Sequence, residues 1–226
     1  MNRWIAPAVI VVMALTVGVS QFASASRLPL TPKNVKVFQL TTKPTVPKVL
    51  RVIANEDTWN DDLATSATHG NDPRLGIADG TQACFVISLV SCTNLRNARS
   101  YLKFDLSALP AGVTVQSATL ELDGGPTTIG ASPLSLRRIT TAWTEAALTY
   151  NSRPTTTGTG AVTATATNVS GTMVASFTIT SLVQNRSTTS IANGFEVRPN
   201  GAVDSWWYSS EWTTADQRPT LTVIYQ

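Results

Sequence analysis

The chain has 226 residues, of which 42% are hydrophobic and 14% are charged, and its formal net charge is +3. That charge is misleading, because 7 of the 17 basic residues precede Glu56 and no acidic residue does. The remaining 10 basic residues are outnumbered by 14 acidic ones, which gives a net of −4. A protein that reads nucleic acid needs a basic face on its folded domain, so the composition excludes that class. The length suits one sizeable core.

The first 25 residues have the pattern of a signal peptide. Asn2 and Arg3 give a short polar, basic start, an apolar run covers residues 5–19, and Ala23-Ser24-Ala25 is a small-residue cleavage site. We therefore expect a secreted protein whose mature chain begins at Ser26. The alternative is an uncleaved anchor, but the apolar run is short for a membrane span of about 20 residues.

Residues 26–48 have the composition of a linker. Pro29, Pro32, Pro44 and Pro47 lie among threonine and lysine, which favours an extended tether over a packed element. We expect this basic segment to space the folded domain from an anionic wall or membrane surface. A merely solvated tail is the alternative.

Short alternating segments separated by turn formers follow over residues 49–226. Strand signals lie at residues 49–53, 85–90, 100–104, 115–122, 134–139, 173–179, 194–198, 206–210 and 220–225. The Thr-rich segment 155–172 is either an edge strand or an exposed loop, and residues 179–185 predict one helical turn. Many short strands without long helical periodicity predict an all-β fold, a single-domain antiparallel β-sandwich of jelly-roll type.

Residues 99–122 show the strand pattern most clearly. Ala118, Leu120 and Leu122 alternate with polar residues, and Leu-Pro-Ala-Gly at 109–112 reverses the chain. Together with WTEAALTYNSRP from Trp143, FTITSLVQN from Phe177 and RPTLTVIYQ at 218–226, this segment resembles the DNRLRE domain. That jelly-roll family of secreted bacterial surface proteins is also catalogued as carbohydrate-binding module family 96. The resemblance covers about residues 49–226.

Two cysteines, Cys84 and Cys92, lie in the body of the chain. In an oxidising compartment an even pair predicts a disulfide, and two reduced buried thiols are the alternative. A zinc site is poorly supported, because zinc takes four ligands and the chain has one histidine, His69.

The acidic segment at residues 56–62 has the oxygen-rich character that calcium requires. Asp57, Asp61 and Asp62 are the predicted ligands of a structural calcium ion that fixes a loop. A solvated acidic loop is the alternative, since the spacing does not match an EF-hand. The run EDTW from Glu56 also resembles the opening strand motif of the family, and jelly-roll binding modules often carry a structural calcium near the first strand.

Four aromatic residues occupy seven positions near the C-terminal end: Trp206, Trp207, Tyr208 and Trp212. On a strand, Trp206 and Tyr208 face one way and Trp207 faces the other. The apolar face of a pyranose lies flat on an indole, so we expect Trp206, Tyr208 and Trp212 to bind carbohydrate, with Trp59 as a further candidate. The alternative is that the outward rings only cover the edge of the sheet.

Candidate catalytic groups are few. His69 lies in the turn-like sequence HGNDP without a placed partner, which favours a surface residue. Glu145 and Glu211 are the remaining pair for glycoside hydrolysis, which needs two carboxyl groups at a fixed separation. Both lie in segments that match framework motifs of a family whose members are mostly noncatalytic modules, so the structural interpretation is stronger.

These observations predict a secreted, noncatalytic module that binds polysaccharide at the cell surface as a monomer. A structural or adhesion module of the cell envelope, which binds protein or packs beside its neighbours, is the alternative, and a polysaccharide-degrading enzyme is a third. Beyond a structural calcium ion, no cofactor is predicted. We expect no nucleic-acid partner and no transmembrane span after signal cleavage.

Overall fold

The computed structural model describes residues 46–80, 96–125, 133–157, 161–184, 191–201 and 203–226. The predicted signal peptide, nearly all of the linker, the strand at 85–90 and both cysteines lie outside the described residues. The disulfide between Cys84 and Cys92 therefore stays a prediction. In the ranges just given, no helix combines the length and the apolar character that crossing a bilayer demands.

Strands dominate the described residues. They are β1 (Lys48–Ile53), β2 (Glu56–Asp61), β3 (Arg74–Asp79), β4 (Asn97–Lys103), β5 (Val115–Gly124), β6 (Pro133–Arg138), β7 (Val162–Thr165), β8 (Thr167–Val169), β9 (Thr172–Thr178), β10 (Phe195–Pro199), β11 (Asp204–Tyr208) and β12 (Thr220–Tyr225). A short helix, α1 (Thr180–Gln184), follows β9, and a 3₁₀ turn (Ala215–Gln217) precedes β12.

All of the described strand pairs are antiparallel and connect into one sheet that branches at two strands. The order is β1-β12-β5-β11-β3-β4-β10-β6-β7; β9 also pairs with β5, β2 with β4, and β8 with β9. A strand has only two edges, so a strand with three partners marks a place where the sheet divides and turns. Both β4 and β5 are such strands, and the predicted all-β sandwich class is confirmed.

The core lies on the inward face of these strands. In β5 the burial alternates, with Ala118, Leu120 and Leu122 fully buried, and β9 and β12 contribute Phe177 and Leu221 from their own inward positions. The alternation follows from the two-residue period of a strand, and burying each large apolar side chain is worth about 1.5–3 kcal/mol.

A second, smaller apolar cluster covers the opposite face of β4. Tyr101 lies on this face and packs with Ile139, Trp143 and Leu148, all buried. The indole Nε1 of Trp143 donates to the main-chain oxygen of Asn193, 2.8 Å away. The loop at residues 140–153 is thereby held over the sheet, which places Glu145 close to β2.

One expectation differs from the structure, and one open alternative is decided by it. The acidic segment at residues 56–62, predicted as a loop, contains strand β2, whose residues 57–61 are all buried. Burial on both faces hides the alternation that identifies a strand in sequence. The Thr-rich segment, for which two alternatives were open, contains the strands β7 and β8, and β7 ends the strand order.

Candidate functional site

Strand β11 divides its three aromatic side chains between the core and the surface. Trp207 is fully buried and donates its Nε1 hydrogen to Ser205 Oγ at 2.9 Å. Trp206 points outward with 36% of its surface exposed, and Tyr208 is half-buried. The predicted orientation of the three rings is confirmed.

The Trp206 ring is stacked under an arginine. The guanidinium carbon of Arg96 lies 4.0 Å from the ring centroid, and Arg96 Nη2 donates to Asp204 Oδ1 at 2.7 Å. A cation over an indole face is attracted by the ring quadrupole, and the ion pair fixes its position. An indole that remains one-third exposed beside a guanidinium offers both an apolar surface and hydrogen-bond donors.

The other two rings form a parallel pair at the end of β11. Tyr208 and Trp212 stack with centroids 4.0 Å apart and an angle of 14° between planes. The Nε1 of Trp212 donates to Gln217 Oε1 at 3.0 Å, and the Arg74 guanidinium lies 6.0 Å from the Trp212 ring. We call Trp206, Tyr208 and Trp212, with Arg74 and Arg96, the aromatic face.

Trp59 supports this face from below and is itself buried. Its ring meets Trp206 edge to face at 5.1 Å and stacks on His69 at 3.9 Å, and its Nε1 donates to Asp72 Oδ2 at 3.0 Å. The ring lies against Gly76, where a Cβ would come within 2.8 Å of it. Glycine at this position is what allows the indole to lie flat on the sheet.

His69 belongs to the same group of rings. Its Nδ1 forms a hydrogen bond with Asp72 Oδ2 at 2.8 Å, and its Nε2 is buried with no hydrogen-bond partner in the described chain. A nucleophile–base pair needs a hydroxyl or thiol within hydrogen-bond reach of the imidazole. Within the described residues, His69 has none.

Three carboxylates meet beside the aromatic face. Asp57 of β2, Glu145 of the 140–153 loop and Glu211 after β11 each place one oxygen within 4.8 Å of the others. We call them the carboxylate cluster. Asp57 is 1% exposed, Glu145 is half-buried and Glu211 is exposed. Although 88 and 154 residues separate Glu145 and Glu211 from Asp57 along the chain, the fold brings all three together.

Few donors serve these carboxylates. The main-chain N–H of Ser210 donates to Asp57 Oδ2 at 2.8 Å, and Ser210 Oγ bonds Glu211 Oε1 at 2.7 Å. Asp57 Oδ1 and Glu145 Oε1 are buried with no hydrogen-bond partner in the described chain. The nearby Lys103 Nζ donates to a different acid, Glu56 Oε2, at 2.9 Å and to the main-chain oxygen of Trp143 at 2.6 Å.

Burial and, after it, the negative charge of Glu211 together raise the pKa of Asp57 to about 8, against the opposing hydrogen bond from Ser210. Burial and the charge of Glu211 also raise the pKa of Glu145. For Glu145, the main-chain hydrogen bond from Asp57 and the charge of Lys103 oppose the increase, as expected of a carboxylate near both acids and a cation.

The other two predicted calcium ligands are used by the backbone. Asp61 Oδ1 accepts the N–H groups of Leu63 and Ala64 at 3.0 and 2.7 Å. The two oxygens of Asp62 accept from the main chain and the side chain of Asn97 at 2.8 and 2.6 Å. Asp61 thus caps the turn after β2 and Asp62 holds the start of β4, while Asp57 alone of the predicted set belongs to the carboxylate cluster.

A cavity of about 740 Å³ lies elsewhere, under the 104–113 segment. Its lining combines Glu56 and Lys103 with apolar residues, and Phe104, its one aromatic side chain, is buried. A sugar ring would find no exposed aromatic surface in this lining, so the cavity matches the stacking chemistry less well than the aromatic face does.

The sequence identified the rings and the acids but not their partners. Arg74, Arg96 and Asp72 contact the rings from segments that carry no recognisable pattern, and only the fold reveals them.

A family model described as carbohydrate-binding module family 96 matches residues 48–225, and no curated protein matches the chain.

Proposed function

The chain belongs to carbohydrate-binding module family 96, and on that premise we propose that it is a secreted, noncatalytic module that binds polysaccharide at the cell surface through its aromatic face. The N-terminal pattern of a basic start, an apolar run and an A-x-A site supports secretion. The proline-rich basic segment that follows supports a tether.

The observation that carries the proposal is the outward side of β11. Trp206 and the stacked pair of Tyr208 and Trp212 lie on one surface, flanked by the guanidinium groups of Arg74 and Arg96. Indole and phenol rings take the apolar faces of pyranoses, and arginines donate to hydroxyl or carboxylate oxygens at their edges. Several rings in one surface suit a polymer better than a single sugar.

A structural or adhesion module of the cell envelope is the rival from another class. Exposed aromatic surface also marks contacts with proteins, so the rings alone do not exclude it. Affinity electrophoresis separates the two: we expect the wild-type domain to be retarded in gels containing neutral or uronic-acid polysaccharides. Free migration through every gel would favour the rival.

Two variants and one control locate the contact. Trp206→Ala and Trp212→Ala should each lower the affinity measured from the retardation at least about tenfold, which corresponds to losing about 1.4 kcal/mol of stacking. Tyr150→Ala is the matched control, because Tyr150 is another half-buried ring with its own arginine, Arg153 at 3.7 Å, and it makes no described contact with the face. Equal retardation of all four proteins would place the glycan elsewhere.

The enzyme hypothesis rests on Glu145 and Glu211, which the fold does bring together. Glu211 is exposed, but the Oε1 atom of Glu145 and the neighbouring Asp57 are buried, which does not favour two carboxylates that flank one glycosidic bond. Release of reducing ends from polysaccharide by the purified protein, lost in Glu145→Gln or Glu211→Gln, would establish an enzyme instead.

A further inference from the structure

The carboxylate cluster has negative charge that the described chain does not balance. Three acids lie within 4.8 Å, and no described lysine or arginine forms an ion pair with any of them. Lys103, whose charge lowers the pKa of Glu145, forms its ion pair with Glu56 instead. Burying unpaired like charges is costly, so the arrangement requires either protons or a cation.

Two oxygens in the cluster lack the hydrogen bonds that buried polar atoms normally make. Asp57 is 1% exposed, and its Oδ1 has no partner among the described residues; Glu145 Oε1 is buried in the same condition. The other Asp57 oxygen is held by the Ser210 N–H, which fixes the direction of the carboxylate. Glu145 packs closely against Gly70, since a Cβ at position 70 would lie 2.5 Å from Glu145 Cγ.

We propose that Asp57, Glu145 and Glu211 bind a calcium ion. The donor set is entirely hard carboxylate oxygen, which calcium prefers, and it includes no imidazole or thiolate of the kind that zinc takes. Three carboxylates from three unrelated segments form an irregular site, which calcium tolerates and which magnesium, with its strict octahedral geometry, does not favour. The exposure of Glu211 leaves a side from which the ion enters.

The ion would join three segments that only single hydrogen bonds, such as Ser210 N–H to Asp57 Oδ2 and Glu145 N–H to Glu56 Oε2, connect at this point. Asp57 belongs to β2, Glu145 to the loop over the outer face of β4, and Glu211 to the turn that also carries Trp212. Calcium would therefore fix the position of one ring of the aromatic face. This second consequence rests on the proposed function, whereas the metal site itself does not.

Calcium titration of the full chain tests the site directly. In isothermal calorimetry after removal of metal by chelator, we expect one calcium ion per chain. Calcium at about 100 times its dissociation constant should raise the melting temperature by about 5–10 °C above that in chelator. Magnesium at the same concentration should give less than half of that rise. No heat and no shift at millimolar calcium would overturn the proposal.

Variants of the three acids and their surroundings identify the ligands, because losing a ligand should weaken calcium binding but stabilise the metal-free protein. Glu211 is exposed, so Glu211→Gln should fold, bind calcium at least tenfold more weakly, and melt higher than wild type in chelator because one repulsive charge is gone. Gly70→Ala keeps every charge but displaces Glu145, and it should also weaken calcium binding. Asp62→Asn is the matched control, because its oxygens serve Asn97, and it should bind calcium like wild type.

The outcomes separate this proposal from the proposed function. If Glu211→Gln binds calcium like wild type, the cluster is not the metal site. If Asp62→Asn alone loses calcium, the site lies at the turn that follows β2 instead. Polysaccharide retardation, measured with calcium and with chelator, then reports on the aromatic face separately. The heat of calcium binding should be observed even if the protein binds no glycan.

Discussion

The aromatic face and the carboxylate cluster adjoin each other, yet they satisfy their polar groups in opposite ways. In and under the face, the indole N–H groups of Trp59 and Trp212 have acceptors, and Arg96 is both stacked and ion-paired. In the cluster, Asp57 and Glu145 each keep a buried oxygen without a partner in the described chain. In the first region only His69 Nε2 lacks a partner among the described residues, whereas the second leaves two carboxylate oxygens in one cluster without one.

The largest expected effect is a loss of folding stability when a core residue of β11, rather than a surface residue of the same strand, is changed. Trp207→Ala should lower the free energy of unfolding by about 3–5 kcal/mol, because it removes a fully buried ring. Trp206→Ala on the same strand should cost less than about 1.5 kcal/mol. Urea denaturation measures both. Similar losses for the two variants would mean that Trp206 belongs to the core.

The second prediction concerns the pH dependence of stability in chelator. Because the pKa of Asp57 is raised to about 8 from 3.8, the folded state keeps a proton between these values that the unfolded state has lost. Stability should therefore fall as the pH rises from 5 to 8, by about 3 kcal/mol, and level off above the folded pKa.

Two other acids face Asp57, namely Glu145 and Glu211, and the Lys103-paired Glu56 accepts the main-chain N–H of Glu145. Asp57→Asn keeps the acceptor for Ser210 but cannot ionise, so its stability should lack this slope relative to wild type. Chemical denaturation at several pH values, with and without calcium, provides the measurement. A wild type and a variant with parallel profiles would show that Asp57 is ionised in both states.

The third prediction disturbs the support of the rings while leaving the acids alone. Gly76→Ala should destabilise the protein by about 2 kcal/mol, since the new Cβ would come within 2.8 Å of the buried Trp59 ring. Gly125→Ala is the control, because its nearest neighbour, the Tyr208 hydroxyl, is 3.8 Å from that Cβ. Thermal melts of both variants would contradict the expectation if they coincided.

The smallest expected effect tests the stacked cation. Arg96→Lys keeps the charge beside Asp204 but loses the planar contact with Trp206, and it should cost about 1 kcal/mol. The variant should also bind polysaccharide more weakly if the guanidinium takes part. Arg138→Lys, at a half-buried arginine of β6 that contacts no ring of the face, should leave both quantities unchanged.

Local patterns predicted what depends on neighbours in sequence. The alternation in β5 and the opposite orientations of Trp206 and Trp207 follow from the two-residue period of a strand, and both are confirmed. No alternation indicated β2, because acids and asparagine fill a strand that is buried on both sides, and only the resemblance of EDTW to an opening strand motif pointed to it. Such residues are buried only with specific partners, and those partners come from distant segments.

The carboxylate cluster shows the same limit from another side. The sequence marked Asp57 as a calcium ligand and Glu145 and Glu211 as a possible catalytic pair, but nothing local indicated that all three belong to one site. Their meeting depends on the 140–153 loop being held over β4 by Trp143. Tertiary contacts of that range carry no periodic signal in the chain.

The register of β1 has a mechanical consequence. Lys48 lies opposite Tyr225, and the pairing runs from there to Ile53 opposite Thr220. Tension that separates Lys48 from Tyr225 would break this ladder one pair after another, which takes far less force than shearing six pairs at once. When Lys48 and Tyr225 are pulled apart, we therefore expect the hydrogen bonds between β1 and β12 to break first, while the pairing of β11 with β3 stays intact.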